Sequence, residues 1–222
     1  MARSFIVTDF EILDVSVPDS PEYVAAIKQA AATLRDGRLV VLPTDTVYGI
    51  AADAFSSPAV GALLAAKGRG RDYPVPVLIA ERSVLHGLVT VAPEAAVALA
   101  ERFWPGALTI IVTYSPALAW DLGETGGTVA IRMPDCASTR EILALTGPLA
   151  VSSANQHGRP AAASIAEATR QLGDTVGLYL DAGQAGGGPA STIVDCTVTP
   201  PKVVREGAIG IEALREVVPS IG

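Results

Sequence analysis

The sequence is poor in the residues that build disulfides, zinc sites and covalent active sites. Its two cysteines, Cys136 and Cys196, lie far apart and lack CxxC or cysteine–histidine spacing, so we expect two ordinary buried thiols. His86 and His157 are its two histidines and no GxSxG motif occurs, which leaves little material for a serine–histidine–acid triad. We therefore predict no metal held by the protein and no covalent nucleophile.

Long apolar runs are also missing. Half of the 222 residues are apolar, but no uninterrupted stretch reaches the length that crosses a bilayer, which is about 18 residues. Residues 1–14 lack the apolar run behind a basic start that marks a secretory leader. The aromatic content is 5%, so we expect a layered core of alanine, valine, leucine and isoleucine. These features predict a cytoplasmic protein.

Positive charge is scarce, since 16 basic residues face 23 acidic ones and give a formal charge of −7. A protein that binds long nucleic acid needs a basic surface, because its affinity depends on releasing counterions from phosphates. The balance therefore argues against nucleic-acid binding as the main activity. It leaves room for a local basic pocket.

What is present is an alternation of strand-length apolar segments with amphipathic helical segments. The predicted strands are residues 38–42, 75–80, 108–114, 128–132, 149–152, 176–180, 191–196 and 202–205. Helices are predicted to begin at residues 20–21, 57–58 and 93, at two capping boxes (138–141 and 164–167), and over 211–217. This alternation predicts an α/β domain with a mixed sheet. With no linker or internal repeat, we expect one domain over residues 1–222, its motif-bearing part lying at about 20–210.

Three polar segments stand at places where ligands often bind. Residues 43–49 (PTDTVYG) and 152–158 (SSANQHG) directly follow predicted strands, where α/β sheets usually place ligands. Residues 67–71 (KGRGR) put three cations on a loop, and lysine and arginine suit phosphate oxygens. Each segment also has an alternative interpretation. Residues 43–49 could form a turn held by Asp and Thr side chains, and residues 152–158 a loop containing a catalytic serine. Residues 67–71 could be a solvated helix C-terminus.

Other features are less informative. No Walker A motif occurs, and no GxGxxG follows a strand. Arg132 and Arg205 end apolar strands, where an arginine reaches either solvent or an anionic ligand. The glycine run at 186–188 is predicted to be a flexible loop rather than a phosphate cradle, because no helix follows it.

Taken in order, seven segments resemble the YrdC-like family of L-threonylcarbamoyladenylate synthases, and the match runs from about residue 39 to 207. The segments are residues 43–49, Lys67-x-Arg69, residues 103–106 (FWPG), 131–134 (IRMP), 153–155 (SAN), 191–195 (STIVD) and Arg205-x-Gly207. Each is weak alone, but seven in the family's order are specific. The resemblance implies a twisted mixed sheet flanked by helices with a concave ligand-binding face.

The resemblance also implies an activity. Members of the family combine L-threonine, bicarbonate or CO2 and ATP into threonylcarbamoyl-AMP, with Mg2+ on the phosphates, and release pyrophosphate. A partner transferase then modifies the adenosine beside the anticodon of tRNA. The ATP contacts implied here are Lys67, Arg69, Thr128, Ser153, Asn155 and Arg205. The implied threonine contacts are Thr46, Arg132 and Ser191, with Arg132 pairing the carboxylate.

The sequence departs from the family pattern at three positions. Tyr73 stands where members often carry a further lysine, Leu78 where archaeal and eukaryotic members often have histidine, and His157 where the usual motif has serine. Because the chain ends at Gly222, we expect it to resemble the single-domain members of the family. Two alternatives stay open: an RNA-binding module of the same fold without adenylation activity, its groove lined by cations of residues 67–71 and Arg205, and a relative that transfers carbamoyl groups.

Overall fold

The computed structural model describes residues 10–185 and 188–222, and it builds them around one mixed sheet. The strands are β1 (Glu11–Asp14), β2 (Val40–Leu42), β3 (Gly49–Asp53), β4 (Val77–Leu78), β5 (Leu108–Thr113), β6 (Thr128–Arg132), β7 (Leu149–Ser153), β8 (Leu178–Asp181), β9 (Thr192–Asp195) and β10 (Lys202–Arg205). The helices are α1 (Pro21–Arg35), α2 (Ser57–Lys67), α3 (Val84–Leu88), α4 (Glu94–Phe103), α5 (Ala137–Thr146), α6 (Ile165–Leu172) and α7 (Ile211–Arg215). None of the helices in these ranges is long and apolar enough to cross a membrane.

The strand order is β1-β8-β2-β3-β7-β4-β6-β5-β9-β10. Four strand pairs are parallel (β1 with β8, β8 with β2, β4 with β6, β5 with β9) and the other five are antiparallel, which is the mixed sheet that the sequence predicts. Helices cover both faces and divide the apolar side chains into two clusters. The smaller cluster packs α1 and α5 against one face of the central strands.

Helix α1 illustrates how local sequence fixes an element. The side chain of Ser20 accepts a hydrogen bond from the backbone N–H of Tyr23 (3.1 Å). Proline fits the first helical position because the N–H that it lacks would have no acceptor within the helix. The face that carries Ala26, Ile27 and Leu34 is buried in the smaller cluster. The start and inward face of this helix agree with the prediction.

Other predicted boundaries shift by a residue or two. Helix α2 begins at Ser57, but its cap lies one residue earlier than predicted, because the side chain of Ser56 accepts from the N–H of Ala59; Gly68 ends the helix in the left-handed conformation, as predicted. At 164–167 the Ser164 hydroxyl accepts from the N–H of Glu167, as predicted, while the Glu167 carboxylate accepts from the N–H of Ala163 rather than from that of Ser164. The capping box predicted at 138–141 is wrong: α5 starts at Ala137 after Cys136, which makes no side-chain cap.

Three elements are absent from the prediction. Strand β3 is alanine-rich and begins with glycine, so its composition does not favour a strand, yet it is paired on both sides by β2 and β7. Strand β1 and the five-residue helix α3 are short and depend on their neighbours. Of the two cysteines, Cys196 is buried, as expected, whereas Cys136 is half-buried, and both are free thiols. The expectation of a single domain over the whole chain stays a prediction, and the glycine loop predicted at 186–188 lies partly outside the described residues.

Candidate functional site

A cavity of about 340 Å3 opens on one face of the central strands. Its lining comes from the loop before β3, the loop after α2, strands β4 to β7 and the segments around β9 and β10. The lining residues that carry polar side chains are Thr44, Thr46, Arg69, Thr109, Arg132, Ser152, Ser153, Ser191 and Arg205. Six of the nine residues that the resemblance assigns to substrates therefore line one cavity: Thr46, Arg69, Arg132, Ser153, Ser191 and Arg205.

The sheet register separates two ends of this cavity. Arg132 of β6 is level with Leu78 of β4, which in turn pairs with Leu149 of β7. Ser152 lies three residues further along β7, which is roughly 10 Å at the usual strand rise. We call the two places the Arg132 end (Arg132, Asp45, Thr46, Thr109 and Ser191) and the Arg69 end (Arg69, Ser152 and Ser153).

At the Arg132 end the guanidinium is held on every nitrogen. Its Nε donates to the carbonyl oxygen of Gly106 (2.9 Å), one terminal nitrogen to the hydroxyl of Thr46 (3.0 Å) and the other to the carboxylate of Asp45 (2.5 Å). Arg132 is 7% exposed. Since Asp45 carries the opposite charge, the Arg132–Asp45 pair is nearly neutral. It offers an oriented cation with a carboxylate beside it.

Two of the family-like sequence segments hold the partners of Arg132 in place. In residues 103–106, the indole N–H of Trp104 donates to the Leu108 carbonyl (2.7 Å) and the backbone N–H of Gly106 to the Met133 carbonyl (2.9 Å). These bonds aim the Gly106 carbonyl at Arg132. In residues 43–49, the buried hydroxyl of Tyr48 donates to the carbonyl of Gly183 (2.7 Å) and fixes the loop that carries Asp45.

Arg205 lies on the same side as the Arg132 end and has neutral partners. Its Nε and one terminal nitrogen donate to the Ser191 carbonyl (3.1 and 2.7 Å), and that nitrogen also reaches the Ser191 hydroxyl (3.1 Å). The Ser191 hydroxyl in turn lies 2.8 Å from that of Thr109. Partial burial, and then the positive charge of Arg132, lower the pKa of Arg205. Two like charges face one cavity, which favours an anion between them.

The structure shows why glycine stands at position 207 of the segment Arg205-x-Gly207. A Cβ at this position would lie 2.1 Å from the Ala190 carbonyl oxygen and 2.7 Å from the Ser191 carbonyl carbon, so no side chain fits. The close approach lets the backbone N–H of Gly207 donate to the buried hydroxyl of Thr192 (3.0 Å). Strands β9 and β10 are thereby held together where Arg205 meets Ser191.

At the Arg69 end the cation is also held by neutral groups. One terminal nitrogen of Arg69 donates to the Ser152 hydroxyl (3.2 Å), its Nε donates to Nδ1 of His157 (3.2 Å), and its guanidinium carbon lies 5.5 Å from the centre of the Tyr73 ring. None of these partners is charged when His157 is neutral. The positive charge of Arg69 therefore stays uncompensated and faces the cavity.

Lys67 does not line the cavity. It is 1% exposed, and its ammonium donates to the carbonyls of Ser153 and Asn155, to the latter at 2.7 Å. Its own carbonyl accepts from the N–H of His157 (2.8 Å). Burial, and then the positive charge of Arg69, lower the pKa of Lys67 to about 7. Lys67 thus fastens the loop after β7 from behind, and any effect on a ligand passes through that loop.

Asn155 and Thr128 are also set back from the cavity. The Asn155 amide nitrogen donates to the carbonyls of Gln156 (2.9 Å) and Arg159 (2.7 Å), so the side chain closes its own loop. Its buried Oδ1 has no hydrogen-bond partner among the described residues. The hydroxyl of Thr128 donates to the carbonyl of Thr125 (2.9 Å).

The residues around the cavity can be compared with the needs of a bound metal ion and of the RNA groove proposed as an alternative. None of the described residues that line the cavity is acidic, and no three His, Cys, Asp or Glu side chains in the described ranges come together as metal ligands. Its hydroxyls could complete the shell of a Mg2+ carried by phosphates, which needs few protein ligands. Of the cations proposed for an RNA groove, Lys67 is buried and Arg71 is paired with Asp121.

Sequence reasoning missed some residues of the site. Asp45 and Thr44 lie inside a segment that the sequence singled out, but nothing local indicates that Asp45 pairs with an arginine in another strand. Thr109 lies within a predicted strand, where a buried threonine looks like any β-branched core residue. Leu78, noted as a departure, does line the cavity.

Comparison with known proteins agrees with this geometry. Residues 32–207 match the family model of Sua5, YciO and YrdC proteins, which carries the description telomere recombination. The chain is 50% identical over 207 residues to a Mycobacterium leprae protein provisionally named threonylcarbamoyl-AMP synthase, covering 93% of each. It is 40% identical to the threonylcarbamoyl-AMP synthase of Bacillus subtilis, covering 86% of this chain and 56% of that one.

A solved structure is similar over nearly the whole chain. The crystal structure of P. abyssi Sua5 complexed with L-threonine superposes with a TM-score of 0.88 at 34% identity. The match covers 96% of this chain and 62% of the P. abyssi chain. The chain therefore spans less than two thirds of some relatives and nearly all of the mycobacterial one.

Proposed function

This chain belongs to the Sua5/YciO/YrdC family, and from that membership we propose that it is a threonylcarbamoyl-AMP synthase. In this proposal it combines L-threonine, bicarbonate or CO2 and ATP into threonylcarbamoyl-AMP and pyrophosphate, and its class is nucleotidyltransferase. Relatives at 40 and 50% identity carry the same activity in their names.

The observation that carries the proposal is the pairing of two kinds of cation site in one cavity. Arg69 and Arg205 have neutral partners and suit the charged phosphates of ATP, whereas the Arg132–Asp45 pair suits an amino acid with a positive and a negative group. The two ends are offset by three residues along the sheet, roughly 10 Å at the usual strand rise. An amino acid and a nucleotide can then bind side by side, each at its own end.

We assign threonine to the Arg132 end. The terminal nitrogens of Arg132 would pair with the threonine carboxylate, and the hydroxyls of Thr46 and Ser191 would accept or donate hydrogen bonds to the substrate. A site built to hydrogen-bond a substrate hydroxyl discriminates strongly against analogues that lack it. The apolar side chain of Leu78 lines the same cavity and is available to the threonine methyl group.

We assign the phosphates to Arg69, Arg205 and Ser153, with Mg2+ on the triphosphate. Lys67 and Asn155 serve ATP indirectly by shaping the loop that carries Ser153. Thr128, the remaining proposed ATP contact, lies off the cavity. Bound Mg2+ would neutralise charge as pyrophosphate leaves, which the cations of the cavity also do.

The chemistry needs positioning rather than a nucleophile from the protein. The neutral amine of threonine adds to the carbon of CO2 and loses a proton, giving a carbamate. A carbamate oxygen then attacks the α-phosphorus of ATP, forming the P–O bond of threonylcarbamoyl-AMP while the bond to pyrophosphate breaks. Binding the reactants together supplies most of the rate enhancement.

Further parts of the proposal concern the setting of the enzyme. The product is a mixed anhydride, so a transferase must consume it, and we propose that this partner places the threonylcarbamoyl group on the adenosine next to the tRNA anticodon. A weak direct contact with tRNA is compatible with Arg205 and Arg69. We propose a cytoplasmic location.

The test is pyrophosphate release from ATP in the presence and absence of threonine and bicarbonate. We expect release to depend on both, to disappear in Arg69→Ala and to persist in Cys136→Ala, because Cys136 lies outside the cavity lining. Serine should support much slower release than threonine. Equal rates with serine would refute the proposed pocket for the threonine hydroxyl and methyl groups.

The RNA-binding alternative is tested by filter binding across a salt series. Micromolar affinity with a steep salt dependence, combined with no ATP turnover, would replace the enzyme proposal.

A further inference from the structure

Two positions at which this sequence departs from its family come together at the Arg69 end. Tyr73 and His157 lie far apart in the chain, yet their rings meet edge to face with centroids 4.9 Å apart. Both side chains are exposed, and neither lines the cavity. Both also contact Arg69, which does line the cavity.

The pair holds Arg69 on two sides. Nε of Arg69 donates to Nδ1 of His157 (3.2 Å), and the guanidinium carbon sits 5.5 Å from the centre of the Tyr73 ring. Ser152 accepts from a terminal nitrogen on the cavity side. A guanidinium has five N–H donors, so these bonds use two and leave three for a ligand.

The chemistry of the partners matters as much as their number. An arginine side chain loses substantial rotamer freedom when it is fixed, and contacts made before the ligand arrives remove that cost from binding. A carboxylate would fix the guanidinium equally well but would cancel its charge. An imidazole nitrogen and an aromatic face hold it and leave the charge available.

We propose that Tyr73 and His157 form a positioning pair that presents Arg69 to the phosphates of ATP. The inference rests on the proposed function, in which Arg69 binds ATP. The pair acts through Arg69 and does not touch the nucleotide. Tyr73 therefore stabilises an existing cation and does not replace a missing lysine as a phosphate ligand.

The first test measures binding of ATP and of L-threonine by calorimetry. Tyr73→Ala and His157→Ala should each weaken ATP binding about fivefold, the effect of losing one cation–π contact or one hydrogen bond, and should leave threonine binding unchanged. Phe55→Ala and His86→Ala are matched controls, because they remove an exposed aromatic residue and an exposed histidine elsewhere. Tyr73→Phe and His157→Gln, which keep the ring and an acceptor, should restore most of the lost affinity.

The decisive arm repeats the alanine substitutions in an Arg69→Ala background. A positioning pair has nothing left to position there, so His157→Ala and Tyr73→Ala should cause no further loss of ATP affinity. Further fivefold losses in that background would mean that the two side chains contact the nucleotide themselves and would overturn the inference. Equal losses of threonine affinity would overturn it as well, because they would indicate a general structural role.

A measurement without nucleotide separates this inference from the proposed function. The Nε–H proton of Arg69, identified by its disappearance in Arg69→Lys, should exchange slowly with water in the unmodified protein and fast in His157→Ala. Slow exchange in a protein that fails to bind ATP would support the inference that Tyr73 and His157 position Arg69, but it would refute the proposed function. Fast exchange in the unmodified protein would overturn the inference whatever the ATP result.

Discussion

Arg69 and Arg132 face the same cavity but are held by different kinds of partner. Arg132 is buried and bonded to the carboxylate of Asp45, whereas Arg69 is bonded to the Ser152 hydroxyl and the His157 imidazole. Both guanidiniums are fixed in direction. The difference lies in the charge that each guanidinium's own partners leave: Asp45 compensates the charge of Arg132, whereas no carboxylate compensates that of Arg69.

The difference suits two ligands of unlike charge. A zwitterionic amino acid gains little from a strongly positive site and benefits from an oriented pair of opposite charges. A triphosphate needs positive charge that no neighbouring carboxylate has cancelled. Partner choice thus gives two arginines of one cavity different specificities, and each of the following changes alters one end.

The largest effect is expected from breaking the Arg132–Asp45 pair. Arg132→Ala leaves the half-buried carboxylate of Asp45 without its partner, and we expect a loss of about 3 kcal/mol in the free energy of unfolding. Urea denaturation of Arg132→Ala, Asp45→Ala and the double variant measures it. The double variant should lose clearly less than the sum of the single ones. Additive losses would show that the pair is not an energetic unit.

A carboxylate placed at the Arg69 end should make it resemble the other end. In Ser152→Asp the new charge would lie beside Arg69, and we expect ATP to bind about a hundredfold more weakly, a change of about 2.7 kcal/mol. Ser152→Asn is the neutral control of the same size and should lose far less. Calorimetric titration with ATP distinguishes the two. If both variants weakened ATP equally, charge compensation would not be the reason for the difference between the ends.

Removal of the buried ammonium of Lys67 should destabilise the loop under the Arg69 end. Lys67→Met leaves the Ser153 and Asn155 carbonyls without a donor, at a cost of about 2 kcal/mol in unfolding free energy. Because the folded pKa of Lys67 is about 7 and its ordinary value is 10.5, the unfolded chain binds the extra proton between these pH values. The stability of the unmodified protein relative to the variant should therefore rise from pH 7 toward pH 10.5.

Urea unfolding at pH 7 and pH 9.5 checks the sign. Lys28→Met, which removes an exposed lysine from α1, is the control and should show no such trend. A stability difference that stays constant with pH would mean that Lys67 is as easily protonated in the folded protein as in the unfolded chain.

The smallest effect is expected from Thr109→Val, which keeps the shape of a buried side chain and removes its 2.8 Å contact with the Ser191 hydroxyl. One hydrogen bond contributes about 1 kcal/mol, so the KM for threonine should rise about fivefold while the KM for ATP stays unchanged. Thr113→Val, on the exposed end of the same strand, serves as the control. A rise in the KM for ATP instead would assign Ser191 to the phosphates.

Much of this molecule follows from local sequence. The β-branched strands β5, β6, β9 and β10 and the capped helices α1 and α6 form where composition and caps predict them. Strand β3 does not, because its small residues favour no strand by themselves and their pairing comes from β2 and β7. The family order of the motifs likewise indicated the cavity, and six of the nine assigned residues line it.

The sequence by itself determined that Lys67 and Arg69 follow a helix, that Gly68 can end it, and that cations, hydroxyls and a few turns recur in an order typical of one family. Only the tertiary structure decided that Lys67 is buried beneath a loop while Arg69, two residues later, faces the cavity. The left-handed turn at Gly68 separates their directions. The charge that remains on each arginine depends on partners contributed by distant segments, Asp45 for Arg132 and His157 for Arg69. No local pattern encodes those pairings, because burial and proximity arise only when the strands are assembled.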